Sequence, residues 1–333
     1  MIKGDQQPCF SVVVPTRNRP RELARFLEAL CAQTYPPERF EVVLVDDGSD
    51  RPLDTVIEPF RERLSITLLA QPNAGPANAR QRGITLAKGT FLAFTDDDCQ
   101  PAPDWLARLE GFCLRHPGTA VGGRTINGLT KNPFSEASQL VITYLTDHSN
   151  ADPHQSKYFA TSNLIFPAKE YNSAVGLDLN WSISGGEDRD LCYRWVSRGH
   201  RLLYCPDAVV HHYHYLTLRT FCRQHFNYGR GGFRHRYLAG GGRGQRLKFE
   251  KLTFYLRLPL CGFRRLPFSM AVRVTPLLGF SQVVNAAGFL WEAARTLIFR
   301  RREELARRPE FAQSSSESEE PEPAAPSRTA DRL

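Results

Sequence analysis

Residues 91–100 read FLAFTDDDCQ, an apolar run closed by Asp96, Asp97 and Asp98. Like charges side by side repel, so an acidic cluster at a strand end is either solvated or neutralised by a cation. Asp96 and Asp98, one residue apart, would emerge together, and two such carboxylates suit a hard divalent ion, Mg²⁺ or Mn²⁺, which takes oxygen ligands and often bridges phosphates. A second acidic pair, Asp46 and Asp47, lies in VDDGSD, where Asp-Gly is also an ordinary turn signal. A third, Glu187 and Asp188 in GGEDRD, could take a proton from a hydroxyl, although the first turn of a helix favours carboxylates whatever their role. In VVHHYHYL an extended backbone puts His212 and His214 on one face and turns His211 away.

These groups need elements to hold them. Apolar runs recur at 10–14 (FSVVV), 41–45 (EVVLV), 65–70 (SITLLA) and 90–94 (TFLAF), reading as strands buried on both faces. Between them, Pro20 to Gln33 carries Leu23, Phe26, Leu27 and Leu30 on one helical face, and Pro76 to Lys88 reads as a helix with Gly89 as its C-cap. Alternation of this kind predicts a parallel sheet between helices, with ligands beyond the carboxyl ends of the strands. PTRNRP, DDGSD and DDD follow the first, second and fourth strands, so three loops converge on one edge. After Gly123 the pattern loosens to a helix at Ser135 to Tyr144, a short strand at Asn163 to Phe166, and a glycine-bounded helix carrying Leu191 and Trp195.

Taken in order, VVVPTRNRP, VVLVDDGSD, NAGPANARQRGITLAKGTFLAFTDDDCQPAPDWL and GGEDRDLCYRW resemble the family 2 glycosyltransferases over about residues 8 to 230. The resemblance implies an α/β GT-A fold: a Rossmann-like, mainly parallel sheet flanked by helices, here with a C-terminal helical extension that is a candidate for membrane association. It implies an inverting enzyme that takes a sugar from a nucleotide-diphosphate donor to an acceptor hydroxyl, with Mn²⁺ or Mg²⁺ as cofactor. By resemblance Asp98 is the principal metal ligand, Asp96 lies nearer the ribose and metal-bound water, and His212 completes the shell, with His214 second. Pro15, Thr16, Arg17, Asp46, Asp47, Arg80 and Asp97 would line the donor nucleotide. Asp188 would be the base and Glu187 its partner, with the reverse order open. Asn163, His214, Arg223, Gln224 and Arg230 are acceptor or phosphate candidates, with a structural amide equally open for Asn163.

The whole chain carries a net charge of +8, divided unevenly. Residues 1–197 hold 20 basic against 24 acidic side chains, and residues 198–308 hold 21 against 5. A basic third of this kind could face nucleic acid, anionic lipid or an anionic substrate. The RGG-like FNYGRGGFRHRY invites an RNA-binding reading, but no nucleic-acid motif supports it, and the expected partners are a nucleotide sugar, a glycan or lipid-linked acceptor and an anionic membrane surface, without nucleic acid. A sugar-nucleotide-binding protein without catalysis is the other alternative. No glycine-rich lysine loop and no G-x-G-x-x-G follows the first strand, which counts against nucleotidyltransferases and nicotinamide enzymes.

Residues 274–291 are uncharged and flanked by arginines, and their length and polar interruptions suit an interfacial or a core helix better than a span. Eight cysteines without close spacing are expected to be reduced, and MIKGDQQPCF shows no secretory signal, so the expected location is cytoplasmic and peripheral at the inner face of the cell membrane. The expected organisation is a catalytic domain over 1–230, a basic helical extension over 231–311 and a disordered tail over 312–333.

Overall fold

A computed structural model describes residues 9–152, 155–174, 185–239 and 249–306; the expected tail at 312–333 lies outside the described residues. The first four strands, β1 (Phe10–Thr16), β2 (Phe40–Asp46), β3 (Ile66–Ala70) and β4 (Phe91–Phe94), form a parallel half-sheet in the order β3-β2-β1-β4. The intervening helices are α1 (Pro20–Cys31), the short α2 (Asp54–Ile57) and α3 (Pro76–Ile84). The continuous apolar runs are explained by cover on both faces. Val12 and Val14 join a core with Leu23, Phe26, Leu27 and Leu30 of α1, whereas Val13 and Val43 join another with Ile84 of α3. As the outermost strand on its side, β3 is only half-buried, unlike its neighbours.

One expectation changes here. The helix α3 ends at Ile84 with Thr85 as its cap, so Gly89 is not its C-cap; a Cβ at Gly89 would overlap the β1 backbone at Phe10 and Ser11. The sheet is mainly parallel, as expected, with antiparallel pairings beyond β4. β5 (Cys99–Pro101), α4 (Trp105–Arg115), β6 (Ala120–Asn127), α5 (Pro133–Ser149), β7 (Leu164–Pro167), α6 (Ala168–Ala174), α7 (Glu187–Ser197) and β8 (Leu202–His212) complete an eight-stranded order β3-β2-β1-β4-β7-β6-β8-β5. In it β7 runs antiparallel to β4 and β6, β8 is parallel to β6, and β5 is antiparallel to β8.

Three helices follow: α8 (Leu218–Ala239), α9 (Leu252–Arg265) and α10 (Phe268–Ala306). Residue 230 lies within α8. Leu140 and Val141 of α5, Phe221 of α8, Leu258 and Cys261 of α9, and Val274 and Leu278 of α10 build a third core, so the uncharged stretch from 274 is packed along one side. Among the described residues no helix is long and apolar enough to cross a membrane. By contacts the chain divides into a unit reaching Leu290 and one beginning at Trp291, the latter described only as helix over 291–306. All eight cysteines are unpaired.

Candidate active site

The triple aspartate occupies the turn from β4 into β5. Pairing of β5 with β8 puts Cys99 opposite His212, which brings the end of the histidine-rich strand to the aspartates. His212 Nε2 stands 3.1 Å from Asp98 Oδ1. Arg19, from the loop after β1, reaches Asp97 Oδ1 at 3.0 Å and Asp98 Oδ2 at 2.9 Å, and the buried Arg80 of α3 pairs with Asp96. Each of the three carboxylates is therefore neutralised by a named cation.

The charges respond accordingly. Burial alone would raise Asp98, yet His212 and then Arg19 hold its carboxyl well below the usual range. At Asp97 burial outweighs Arg19 and pushes the group up to about 7. Burial works against charge on His212, but Asp98 overrides it and raises the imidazole. Burial, then His212, lowers His214 to about 4, so it is neutral at pH 7.

Ligand atoms of Asp96, Asp98, Cys99 and His212 all lie within 4.8 Å of one another. Burial drives the Cys99 thiol well above its ordinary value, leaving two carboxylates and an imidazole as the donors. That set fits a divalent cation of the hard to borderline kind.

On the other side of the cleft, β1 and β2 end in register at Thr16 and Asp46. Pro15, Thr16 and Arg17 line the cleft, with Arg17 Nε donating to Gly48 O at 3.2 Å. Asp47 also lines it and is held rigidly: Oδ1 accepts from Gln71 Nε2 (2.6 Å) and Ala74 N (2.8 Å), and Oδ2 from Gly75 N (2.9 Å). Asp46 does not line the cleft. Its Oδ1 accepts from Ser49 N at 2.9 Å and stabilises the Asp-Gly turn, in which Gly48 has φ 79°.

The third acidic pair opens α7. Gly186 has φ 94°, and Glu187 and Asp188 follow as the first two helical residues. Glu187 Oε2 accepts from Gly185 N (2.6 Å); Asp188 Oδ1 accepts from Arg189 N (2.7 Å) and Oδ2 from the Tyr158 hydroxyl (3.1 Å). The helix dipole favours their ionised forms. Burial nevertheless wins: with the Asp188 charge it raises Glu187 to about 7, and it raises Asp188 against the hydrogen bond from Arg189 N. A carboxylate that holds its proton near neutral pH is matched to proton transfer there.

These groups, with His212 and His214, open onto one cleft of about 1540 Å³. That exceeds the volume of most single-ligand pockets, leaving room for two reactants.

Four expected contacts are not at the cleft. Asn163 is 1% exposed; its Oδ1 accepts from Trp105 Nε1 (3.0 Å) and its Nδ2 donates to Arg124 O (3.1 Å) and Ala208 O (2.9 Å), which makes it a structural amide. Arg223 is exposed and Arg230 half-buried, and neither lines the cleft; Asp46 is the fourth. α8 turns Gln224, Tyr228, His235 and Arg236 to the cleft instead. Gln224 Nε2 donates to the Tyr228 hydroxyl at 2.8 Å and lies 3.5 Å from His214 Nδ1.

Arg19, Tyr158 and Tyr228 were not foreseen. A signal existed for Arg19, which stands in the same strand-end loop as Arg17 and so at the convergent edge. Tyr158 and Tyr228 carry no local pattern that marks them.

Residues 11–170 match "Glycosyl transferase family 2" and residues 93–298 match "Glycosyl transferase family group 2". The chain is 31% identical over 239 residues to the pre-mycofactocin glycosyltransferase of Mycobacterium tuberculosis, covering 68% of this chain and 47% of that protein. It is 31% identical over 220 residues to the validoxylamine A glucosyltransferase of Streptomyces hygroscopicus subsp. limoneus, covering 58% of this chain and 49% of the relative. The chain thus spans about half the length of these curated relatives. Among solved structures it is similar to the mannosyltransferase PcManGT from Pyrobaculum calidifontis in complex with GDP-Man and Mn²⁺, with TM-score 0.54, 19% identity, and 94% of this chain and 84% of that one covered. At that identity the likeness bears on the fold, and it agrees with the GT-A fold expected from the sequence.

Proposed function

Since the chain belongs to glycosyl transferase family 2, we propose that it is an inverting, metal-dependent glycosyltransferase acting on a nucleotide-diphosphate sugar. The observation that carries this reading is one cleft holding both a cation-suited aspartate turn and a carboxylate pair with raised pKa.

In this reading Asp47 and the Pro15–Arg17 loop hold the nucleoside, and Arg80 orients Asp96. Asp98, Asp96 and His212 would hold Mn²⁺ or Mg²⁺, which when bound would supply Lewis-acid stabilisation of charge on the leaving diphosphate. Asp188 takes the acceptor hydroxyl proton as that oxygen attacks the anomeric carbon, and Tyr158 and the Arg189 N–H keep the receiving carboxylate aimed. Glu187, anchored by Gly185 N, orients the acceptor. The acceptor is a glycan or lipid-linked hydroxyl of the kind used in cell-surface polysaccharide or glycolipid synthesis, met at the inner face of the cell membrane; the excess of basic side chains over 198–308 supports that location.

Thermal shift against UDP-, GDP- and dTDP-sugars, each with Mn²⁺, Mg²⁺ or a chelator, tests the reading, because a donor that binds the folded state raises the midpoint. A metal-dependent rise with one donor, lost in Asp98→Ala, is expected. A rise that is the same with chelator, or that survives Asp98→Ala, overturns it.

A further inference from the structure

Helix α9 is apolar on two opposite sides. Phe254, Leu258 and Cys261 point inward and are buried. Leu252, Leu256, Leu260 and Phe263, spaced four, four and three residues apart, share the outward side and are 72%, 61%, 56% and 49% exposed. The stripe continues across the helix junction, where the Phe263 and Phe268 rings lie 6.3 Å apart, and Phe268 is 76% exposed. One turn further along α10, Val272 is 49% exposed. A contiguous run of large apolar side chains is not ordinary surface; it marks a face that something covers.

The surroundings identify the occupant. Lys251, Arg257, Arg264 and Arg273 are exposed along the same stretch. The acids nearby are engaged: Asp147 pairs with Arg265 at 2.5 Å and Glu250 meets His148 at 3.0 Å. The stripe itself offers no hydrogen-bonding side chain, and it sits on the outer side of a helix. A helix of this length is roughly 21 Å long, less than the ~30 Å of a bilayer's hydrocarbon core, so it can lie in the interface but not cross it. Apolar side chains between cationic ones are the chemistry of an anionic lipid surface.

We propose that the outward side of α9, extended by Phe268 and Val272, inserts into the headgroup region of an anionic bilayer and is the membrane-docking surface of this protein. It lies one helix before the uncharged stretch at 274–291, whose Val274 and Leu278 are committed to the interior. The inward side of the same helix, through Phe254, Tyr255 and Leu258, lines the cleft. A lipid-borne acceptor can therefore keep its chain in the bilayer while its hydroxyl reaches Asp188; this clause alone rests on the proposed function.

Co-sedimentation of the full chain with vesicles of phosphatidylcholine, or of phosphatidylcholine with 30 mol% phosphatidylglycerol, tests the surface. The protein is expected to pellet with the anionic vesicles, to bind neutral ones at least tenfold more weakly, and to lose most of its anionic binding in Leu256→Glu/Leu260→Glu. Arg257→Ser/Arg264→Ser, which keeps the apolar stripe, is expected to weaken anionic binding several-fold. Equal binding by the Leu256→Glu/Leu260→Glu variant, or wild type left in the supernatant with both vesicles, overturns the proposal. So does size-exclusion showing a wild-type dimer that this variant converts to monomer, which would assign the stripe to a second copy. The donor-induced thermal shift is read on the same samples, so failure at the vesicle with an intact shift sinks the surface and leaves the enzyme reading standing.

Discussion

Glu187 and Asp188 begin a helix, where the dipole lowers carboxyl pKa values, and yet both are raised because burial outweighs it. Groups this close titrate as a pair. A base must be ionised, and Asp188 is raised above the ordinary carboxyl range by burial, so the transfer rate at saturating metal should fall with pH on a limb that lies above that range; an initial-rate profile flat down to about pH 4 would contradict the assignment. The linked stability has the opposite sign: a carboxyl raised in the folded state adds stability while protonated, and that stability declines as pH rises from the ordinary value toward about 7. Asp188→Asn should cut transfer by roughly 10²- to 10⁴-fold while leaving the donor-induced thermal shift in place. Glu187→Gln should move the acid limb to lower pH by removing a neighbouring charge. The acidic clusters were legible because D-x-D and E-D are local strings. Asn163 stayed open between a binding residue and a structural amide because the bonds that decide it, to Trp105, Arg124 and Ala208, are all long-range.

At the level of elements, the four apolar runs were legible because cover on both faces leaves them no polar positions. β6 was not, since Gly122 and Gly123 read as breakers. They are glycine because the Phe159 ring and the Asn163 amide occupy the space where Cβ atoms would stand. The register of α8 was equally hidden. Its glycine-rich string looks like an RNA-binding tract, but Gly229 and Gly288 let α8 and α10 meet backbone to backbone, a Cβ on either overlapping the carbonyl of Asn285 or Phe226. Gly288→Val should force the helices apart and cost about 1–3 kcal/mol or more by overpacking, read as a lower urea midpoint at unchanged m-value. It should also weaken donor binding, since Tyr228 and Phe289 on these helices both line the cleft; a midpoint equal to wild type would refute the contact.

Across the whole molecule, the uneven charge was plain in the sequence, whereas its use depends on which apolar residues remain outside, and that is decided by how α5, α8, α9 and α10 pack. The uncharged length from 274 drew attention, while the shorter α9 carries the exposed stripe. The same dependence on assembly applies to Arg19, whose guanidinium bridges Asp97 and Asp98 across the first and fourth strands. It acts as a placeholder: the aspartate turn is charge-balanced before any ion arrives, so folding need not wait for metal. Protein treated with a chelator should keep a thermal midpoint within a few degrees of the sample with added Mn²⁺. Arg19→Gln should lose about 1–3 kcal/mol under chelator, much of it restored by added Mn²⁺. A chelator-sensitive wild type, or an Arg19→Gln variant indifferent to it, would contradict that division. If the proposed function holds, a divalent ion would be free to arrive and leave with the donor, because the aspartate turn keeps its shape and charge balance without it.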